Sequence, residues 1–118
     1  MIGTDKMIIR AAGFWFAAAL LVFGALEARA QDAVTIEISI HKHRFQPAEV
    51  QAPAGKPITL RIKNGDATPA EFESVSLRVE KVIAANSEGI IRLRPLQPGR
   101  YRFFDDFNQQ AQGALVVR

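Results

Sequence analysis

Seven consecutive residues, Val34-Thr35-Ile36-Glu37-Ile38-Ser39-Ile40, alternate apolar and polar without a break. An extended chain turns successive side chains to opposite faces, so this run buries a continuous apolar face only as a β-strand. Ile58-Thr59-Leu60-Arg61-Ile62-Lys63 repeats the alternation and stops at Asn64-Gly65, a strong turn dipeptide. Further short strands are expected at residues 49–52, 71–75, 90–94, 101–103 and 113–117, separated by Pro53-Ala54-Gly55, Pro98-Gly99 and polar stretches. Phe72 should point inward, which puts Glu71 and Glu73 together on the opposite face, and Tyr101 and Phe103 should share one face of their strand. Pro47 should mark a bend or an edge. Residues 77–83 fit neither a helical nor a strand period, and residues 84–89 read as a connection. Beyond residue 30 no helical period is sustained. About seven short strands with regular turn signals predict an all-β sandwich in one domain.

The first thirty residues have a different pattern. Lys6 and Arg10 precede an uncharged run rich in Ala, Leu, Phe and Val, and Ala28-Arg29-Ala30 supplies the small-x-small exit of a signal-peptidase site. A helical signal peptide is expected over residues 1–30 and the folded domain over residues 31–118, exported to the periplasm. An uncleaved membrane anchor is the competing reading, since the apolar run from Met7 to Leu26 is almost long enough to span a bilayer.

Residues 31–118 hold twelve Lys/Arg against ten Asp/Glu, scattered along the chain. Nucleic-acid binding, which needs a clustered basic surface, is therefore not indicated. The chain has no cysteine, which excludes disulfides, Cys-based metal sites and thiol nucleophiles. There is no Gly-x-Ser-x-Gly, no glycine-rich phosphate loop and no paired zinc-ligand motif. No enzymatic activity of its own is indicated.

The succession strand, Phe45-Gln46-Pro47, short strand, Pro53-Ala54-Gly55, strand, Asn64-Gly65-Asp66 loop, strand, Pro98-Gly99-Arg100-Tyr101-Arg102-Phe103, polar loop and Gly113-Ala114-Leu115-Val116-Val117 resembles the cupredoxins. The resemblance implies a Greek-key β-sandwich. In the blue-copper members the loop after the Tyr-x-Phe strand carries a cysteine and a histidine, often followed by a methionine. By that register Asp105 stands at the cysteine position, Asn108 at the histidine and Ala111 near the methionine, while Glu71 and Glu73 stand where the other histidine is expected. A blue-copper centre requires a thiolate, so none is expected here. Glu71-Phe72-Glu73-Ser74, Leu77-Arg78, Glu80-Lys81-Val82-Ile83 and Phe103-Phe104 with Asp106 are more specifically similar to small periplasmic cupredoxin-like proteins of bacterial ferrous-iron uptake. That resemblance implies a periplasmic iron-binding protein and an inner-membrane iron permease as partners.

The candidate metal ligands are Glu71, Glu73, Asp105, Asp106 and His43. Paired carboxylates suit hard or borderline cations such as iron or manganese. Each has an ordinary alternative: Glu71 and Glu73 as a solvated strand face, and Asp105 and Asp106 as ion pairs with Arg78, Lys81, Arg100 or Arg102. His41 and His43, two apart on one strand, should point the same way, with His43 the better candidate ligand. The aromatic residues Phe45, Phe72, Tyr101, Phe103, Phe104 and Phe107 read as core and loop anchors. The resulting expectation is a metal-binding component of iron acquisition, holding a copper or iron ion and assisting ferrous iron oxidation or transfer to a permease. A metal-free periplasmic interaction module and a copper carrier in copper homeostasis are the two alternatives.

Overall fold

The computed structural model describes residues 33–118; the expected signal peptide lies outside the described residues. Within them are nine strands and no helix: β1 Val34–His41, β2 Arg44–Gln46, β3 Glu49–Ala52, β4 Ile58–Asn64, β5 Ala70–Ser74, β6 Val79–Ile83, β7 Ser87–Leu93, β8 Gly99–Asp105 and β9 Asn108–Val117. They form a four-stranded sheet in the order β2-β1-β4-β7 and a five-stranded sheet in the order β3-β9-β8-β5-β6. The expected all-β sandwich is present, with two more strands than the roughly seven expected.

The alternating runs explain the first sheet. β1 lies parallel to β4 with Ile38 beside Ile62, and β7 runs antiparallel to β4 with Leu60 beside Ile91. The even positions of β1 and β4 and the odd positions of β7 are buried against the second sheet, which contributes Phe72, Phe103, Leu115 and Val117. On the outer face Arg61 is held between Glu37 at 3.3 Å and Glu88 at 3.1 Å. This ladder is exposed and adds little to stability.

Three rings form the centre of the sandwich. Phe45 stands edge-on to Phe72 and Phe103, with centroids 6.1 and 4.9 Å away, while Phe72 and Phe103 stack at 4.9 Å. Removing one such buried ring costs about 3–5 kcal/mol. The trio fixes β5 beside β8, because Phe72 and Phe103 point inward from those two strands. The residues between them, Glu71, Glu73 and Phe104, are thereby turned outward.

The two additional strands lie at sheet edges. β2 has only three residues and pairs with β1 through His41 and Arg44. It ends at Gln46, directly before Pro47, which lacks the N–H a further rung would need. β6 lies within the stretch whose sequence fits neither period. As an edge strand it buries Ile83 fully and Val79 in part, while Glu80, Lys81 and Val82 are exposed, so the alternation is weak. Residues 87–89, read as connection, are the first rungs of β7.

Candidate metal centre

The carboxylate positions follow from the pairing of β5. Glu71 lies opposite Val82 and Glu73 opposite Glu80 on β6, while Glu73 lies opposite Phe104 on β8. A register shift between Phe104 and Asp105 breaks the β8–β9 ladder at its tip. It places Asp106 in the turn, where its N–H donates to the carbonyl of Glu71 at 2.9 Å. The result is a cluster in which one ligand atom each from Glu71, Glu73 and Asp106 lies within 4.8 Å of the others. The two glutamates are half-buried and Asp106 is exposed.

That spacing matches what one cation demands. Carboxylate oxygens bind calcium-, magnesium- or iron-sized ions at about 2.0–2.6 Å, so ligands on opposite sides of an ion stand about 4–5 Å apart. The cluster has no Lys or Arg within ion-pair distance among the described residues. Both glutamates titrate above their ordinary value of 4.5. For Glu71 the chief cause is desolvation, followed by the charges of Asp106, Glu80 and Asp105. For Glu73 it is desolvation, then a carboxyl–carboxyl hydrogen bond with Glu80 and the charge of Asp106. Mutually repelling carboxylates of this kind hold protons or a cation. Glu80, on β6 opposite Glu73, is the fourth acid beside the cluster.

Asp105 is not part of the cluster. It is 1% exposed, and its Oδ1 accepts the N–H of Glu71 at 2.9 Å and that of Phe107 at 3.0 Å. The inward alternation of β8 puts this side chain beneath the sheet, where it ties the β8–β9 tip to the start of β5. None of Arg78, Lys81, Arg100 and Arg102 pairs with Asp105 or Asp106. Asp106 instead accepts from Gln109 Nε2 at 3.0 Å.

His43 is also elsewhere. β1 ends at His41, and Lys42 and His43 turn the chain with φ of 51° and 57°. The two histidines therefore do not share a strand face. Asp66 takes the N–H of Lys42 on one oxygen at 2.8 Å and that of His43 on the other at 2.9 Å. The His43 ring approaches Asp66 at 3.8 Å and faces a cleft lined by Arg44, Gln110 and Gln112. The carboxyl of Asp66 is held below its ordinary value, chiefly by the His43 N–H. Behind it, buried Asn64 donates through Nδ2 to the carbonyls of Thr68, Ile83 and Ala84 and accepts from the Asp66 N–H. The Asn64-Gly65-Asp66 motif thus braces the loop that leads into β5. Phe107, read as an anchor, is half exposed at the hairpin tip.

Residues 12–117 match the family described as the cupredoxin-like domain. The uncharacterized protein RP394 of Rickettsia prowazekii is 42% identical over 83 residues, which is 70% of this chain and 66% of that protein's length. Among solved structures, the metal binding domain of the Cu(I) exporting P-type ATPase CopA of Streptococcus pneumoniae superposes with a TM-score of 0.68 at 21% identity, covering 75% of this chain and 88% of that one. Auracyanin A, a "blue" copper protein of Chloroflexus aurantiacus, superposes with a TM-score of 0.62 at 18% identity, covering 73% of this chain and 99% of that one. At these identities the superpositions establish the shared fold.

Proposed function

The chain belongs to the cupredoxin-like domain family, and from that premise we propose that it binds a hard or borderline metal cation through Glu71, Glu73 and Asp106 and serves iron acquisition in the periplasm. The observation that carries this reading is the convergence of three carboxylate oxygens to within 4.8 Å on one sheet face. The donor set is all oxygen, which suits iron or manganese and disfavours copper(I). A blue-copper centre does not fit this chain: it has no thiolate, and the buried carboxyl of Asp105 is occupied by two backbone N–H groups. No redox step is therefore assigned to a resident copper.

In this reading iron is cargo. Oxygen ligands stabilise the ferric state over the ferrous, so the cluster favours iron that has been oxidised by an external acceptor. Its exposed side, at Asp106, leaves room for water or for a partner's ligand during transfer to an iron permease. A periplasmic iron-binding protein is the expected neighbour.

Calorimetric titration of the purified protein with iron(II) without oxygen, manganese(II) and copper(II) tests the proposal. Binding tighter than millimolar for iron or manganese is expected, weakened at least tenfold in Glu71→Ala, Glu73→Ala and Asp106→Ala. The absence of binding for every ion would sink it. Tight copper(II) binding that survives all three substitutions but not His43→Ala would move the site to the β1–β2 turn and favour a copper carrier.

A further inference from the structure

The two outer faces of the sandwich carry opposite charge. The period of two that buries Ile62 and Leu93 turns Arg61, Lys63, Arg92 and, directly after β7, Arg94 to the outside of the four-stranded sheet. Arg44 of β2 faces the same way, and Lys42 stands exposed in the turn that follows β1. The outward acids of this sheet are Glu37 and Glu88, and Arg61 takes up both. Lys42, Arg44, Lys63, Arg92 and Arg94 make no ion pair among the described residues. Asp66, at the same end, is turned inward: its side chain is 14% exposed and its oxygens accept the N–H groups of Lys42 and His43. On the five-stranded sheet the balance is reversed, with Glu49, Glu71, Glu73, Glu80 and Asp106 set against Arg100 and Arg102. Basic residues scattered along the chain are thus gathered by the fold onto one face.

We propose that this face rests on an anionic lipid surface. Arg92 pairs with Thr59, four residues before Lys63 on β4, so the two cations stand about 13 Å apart along the strands. The charge is spread across the sheet rather than focused in a pocket. A flat field of unpaired cations suits a plane of headgroup charge. A protein partner would need an anchor, an aromatic or large apolar side chain to seat in a pocket, and the outward apolar residue of β7 is Ile90, which is half-buried. The exposed apolar side chains Val75, Val82 and Phe107 belong to the other sheet and its turns.

Screening sets the orientation. The sheets of a sandwich lie about 10 Å apart, so the outward acids of the second sheet stand beyond the ~8 Å Debye length of physiological salt. Their repulsion by the lipid is screened, while the cations against the headgroups are attracted. Each Lys or Arg held at such a surface strengthens binding about fivefold. Arg61, matched by two glutamates, adds little, and the five unpaired cations carry the contact. It is therefore reversible and weakened by salt. Glu71, Glu73 and Asp106 then face the water on the far side. The lipid contact itself does not rest on the metal reading.

Co-sedimentation of the purified protein with vesicles of phosphatidylcholine, alone or mixed in equal parts with phosphatidylglycerol, tests it. Binding should favour the mixed vesicles and fall as sodium chloride is raised. Lys63→Gln and Arg92→Gln should each weaken it about fivefold, and the two together roughly tenfold or more. Arg102→Gln, on the other sheet, should leave it unchanged. Circular dichroism verifies that the variants fold. The apolar run from Met7 to Leu26 can itself enter either vesicle, so spin-labelled phosphatidylglycerol supplies a second readout. Amide signals of β4 and β7 should broaden ahead of those of β5 and β6. Equal binding to both vesicles without that preference, or a loss in Arg102→Gln as large as in Lys63→Gln, overturns the proposal. Binding to neither vesicle overturns it as well, and leaves an acidic protein as the partner this face would fit.

Discussion

Asp105 Oδ1 accepts the backbone N–H of Glu71 at 2.9 Å, across 34 residues of sequence. The same oxygen accepts the N–H of Phe107 at 3.0 Å. One buried carboxylate therefore sets both the turn that presents Asp106 and the start of the strand that presents Glu71 and Glu73. By the resemblance drawn from the sequence, this is where a blue-copper member would be expected to carry its cysteine. Here the side chain at that position acts through its neighbours, and the acids it positions lie on the outside of the sheet.

Replacing Asp105 by alanine should strand both N–H groups in a buried site. Each unmet donor costs about 1–3 kcal/mol, so a loss of about 2–6 kcal/mol is expected from urea unfolding. Asp105→Asn keeps an acceptor oxygen in place and should lose much less. Equal losses in the two variants would mean that packing, rather than the paired hydrogen bonds, is what Asp105 contributes.

The raised titration of Glu71 and Glu73 predicts a pH dependence of defined sign. A carboxyl whose folded pKa lies above its unfolded value near 4.5 binds protons more readily in the folded state. Stability from the cluster is therefore present at acid pH and lost as pH rises through the raised values. Thermal melts should show Glu73→Gln stabilising the domain at neutral pH, with the gain shrinking toward pH 4. Manganese(II) should compete with those protons, so its apparent affinity should fall as the solution is acidified. An affinity independent of pH from 7 to 5 would place the bound ion away from these residues.

The sandwich was legible because the burial pattern of β1 and β4 is written as strict alternation, and a period of two admits one local structure. The pair Glu71 and Glu73 was legible for the same reason, with Phe72 inward between them. Three features were not. β6 is an edge strand with three consecutive exposed residues, so it carries little periodic signal. Asp105 and Asp106 are identical in type and adjacent; Asp105 follows the inward alternation of Phe103, and the bulge at the β8–β9 tip leaves Asp106 in the turn. His43 looked like the next outward residue after His41, but positive φ at Lys42 and His43 ends the strand, and that conformation depends on Asp66, 23 residues away from His43. For Asp106 and His43 the deciding contact is distant in sequence.

That clip carries its own prediction. Lys42 and His43 occupy the left-handed region, which costs an L-residue about 1–2 kcal/mol, and Asp66 holds both N–H groups there. Asp66→Ala should lower stability by about 1–3 kcal/mol, read from urea midpoints. The sign of the pH effect is opposite to that of the cluster. The folded pKa of Asp66 is depressed below 3.8, so its contribution is present above that value and is lost as pH falls through the folded pKa. Asp66→Asn should remove this acid-side loss; a variant with an unchanged acid limb would show that other carboxylates govern it.

Gly113 offers the sharpest steric test. It pairs with Phe103 across the β8–β9 ladder. A Cβ built on Gly113 would overlap a Phe103 ring carbon and lie 2.6 Å from the carbonyl oxygen of Ala48. The ring belongs to the stacked core and the carbonyl accepts the N–H of Ala114 at 2.8 Å, so neither can withdraw without breaking something else. Gly113→Ala should cost about 1–3 kcal/mol as an overpacking change, and amide exchange should quicken in β3, whose pairing with β9 begins at the next residue, Ala114. Trimming Phe103 to leucine in the same chain should not recover the loss, because the Ala48 carbonyl would still obstruct the methyl group. Recovery by that second substitution would assign the whole effect to the ring and leave the β3–β9 junction more tolerant than its geometry implies.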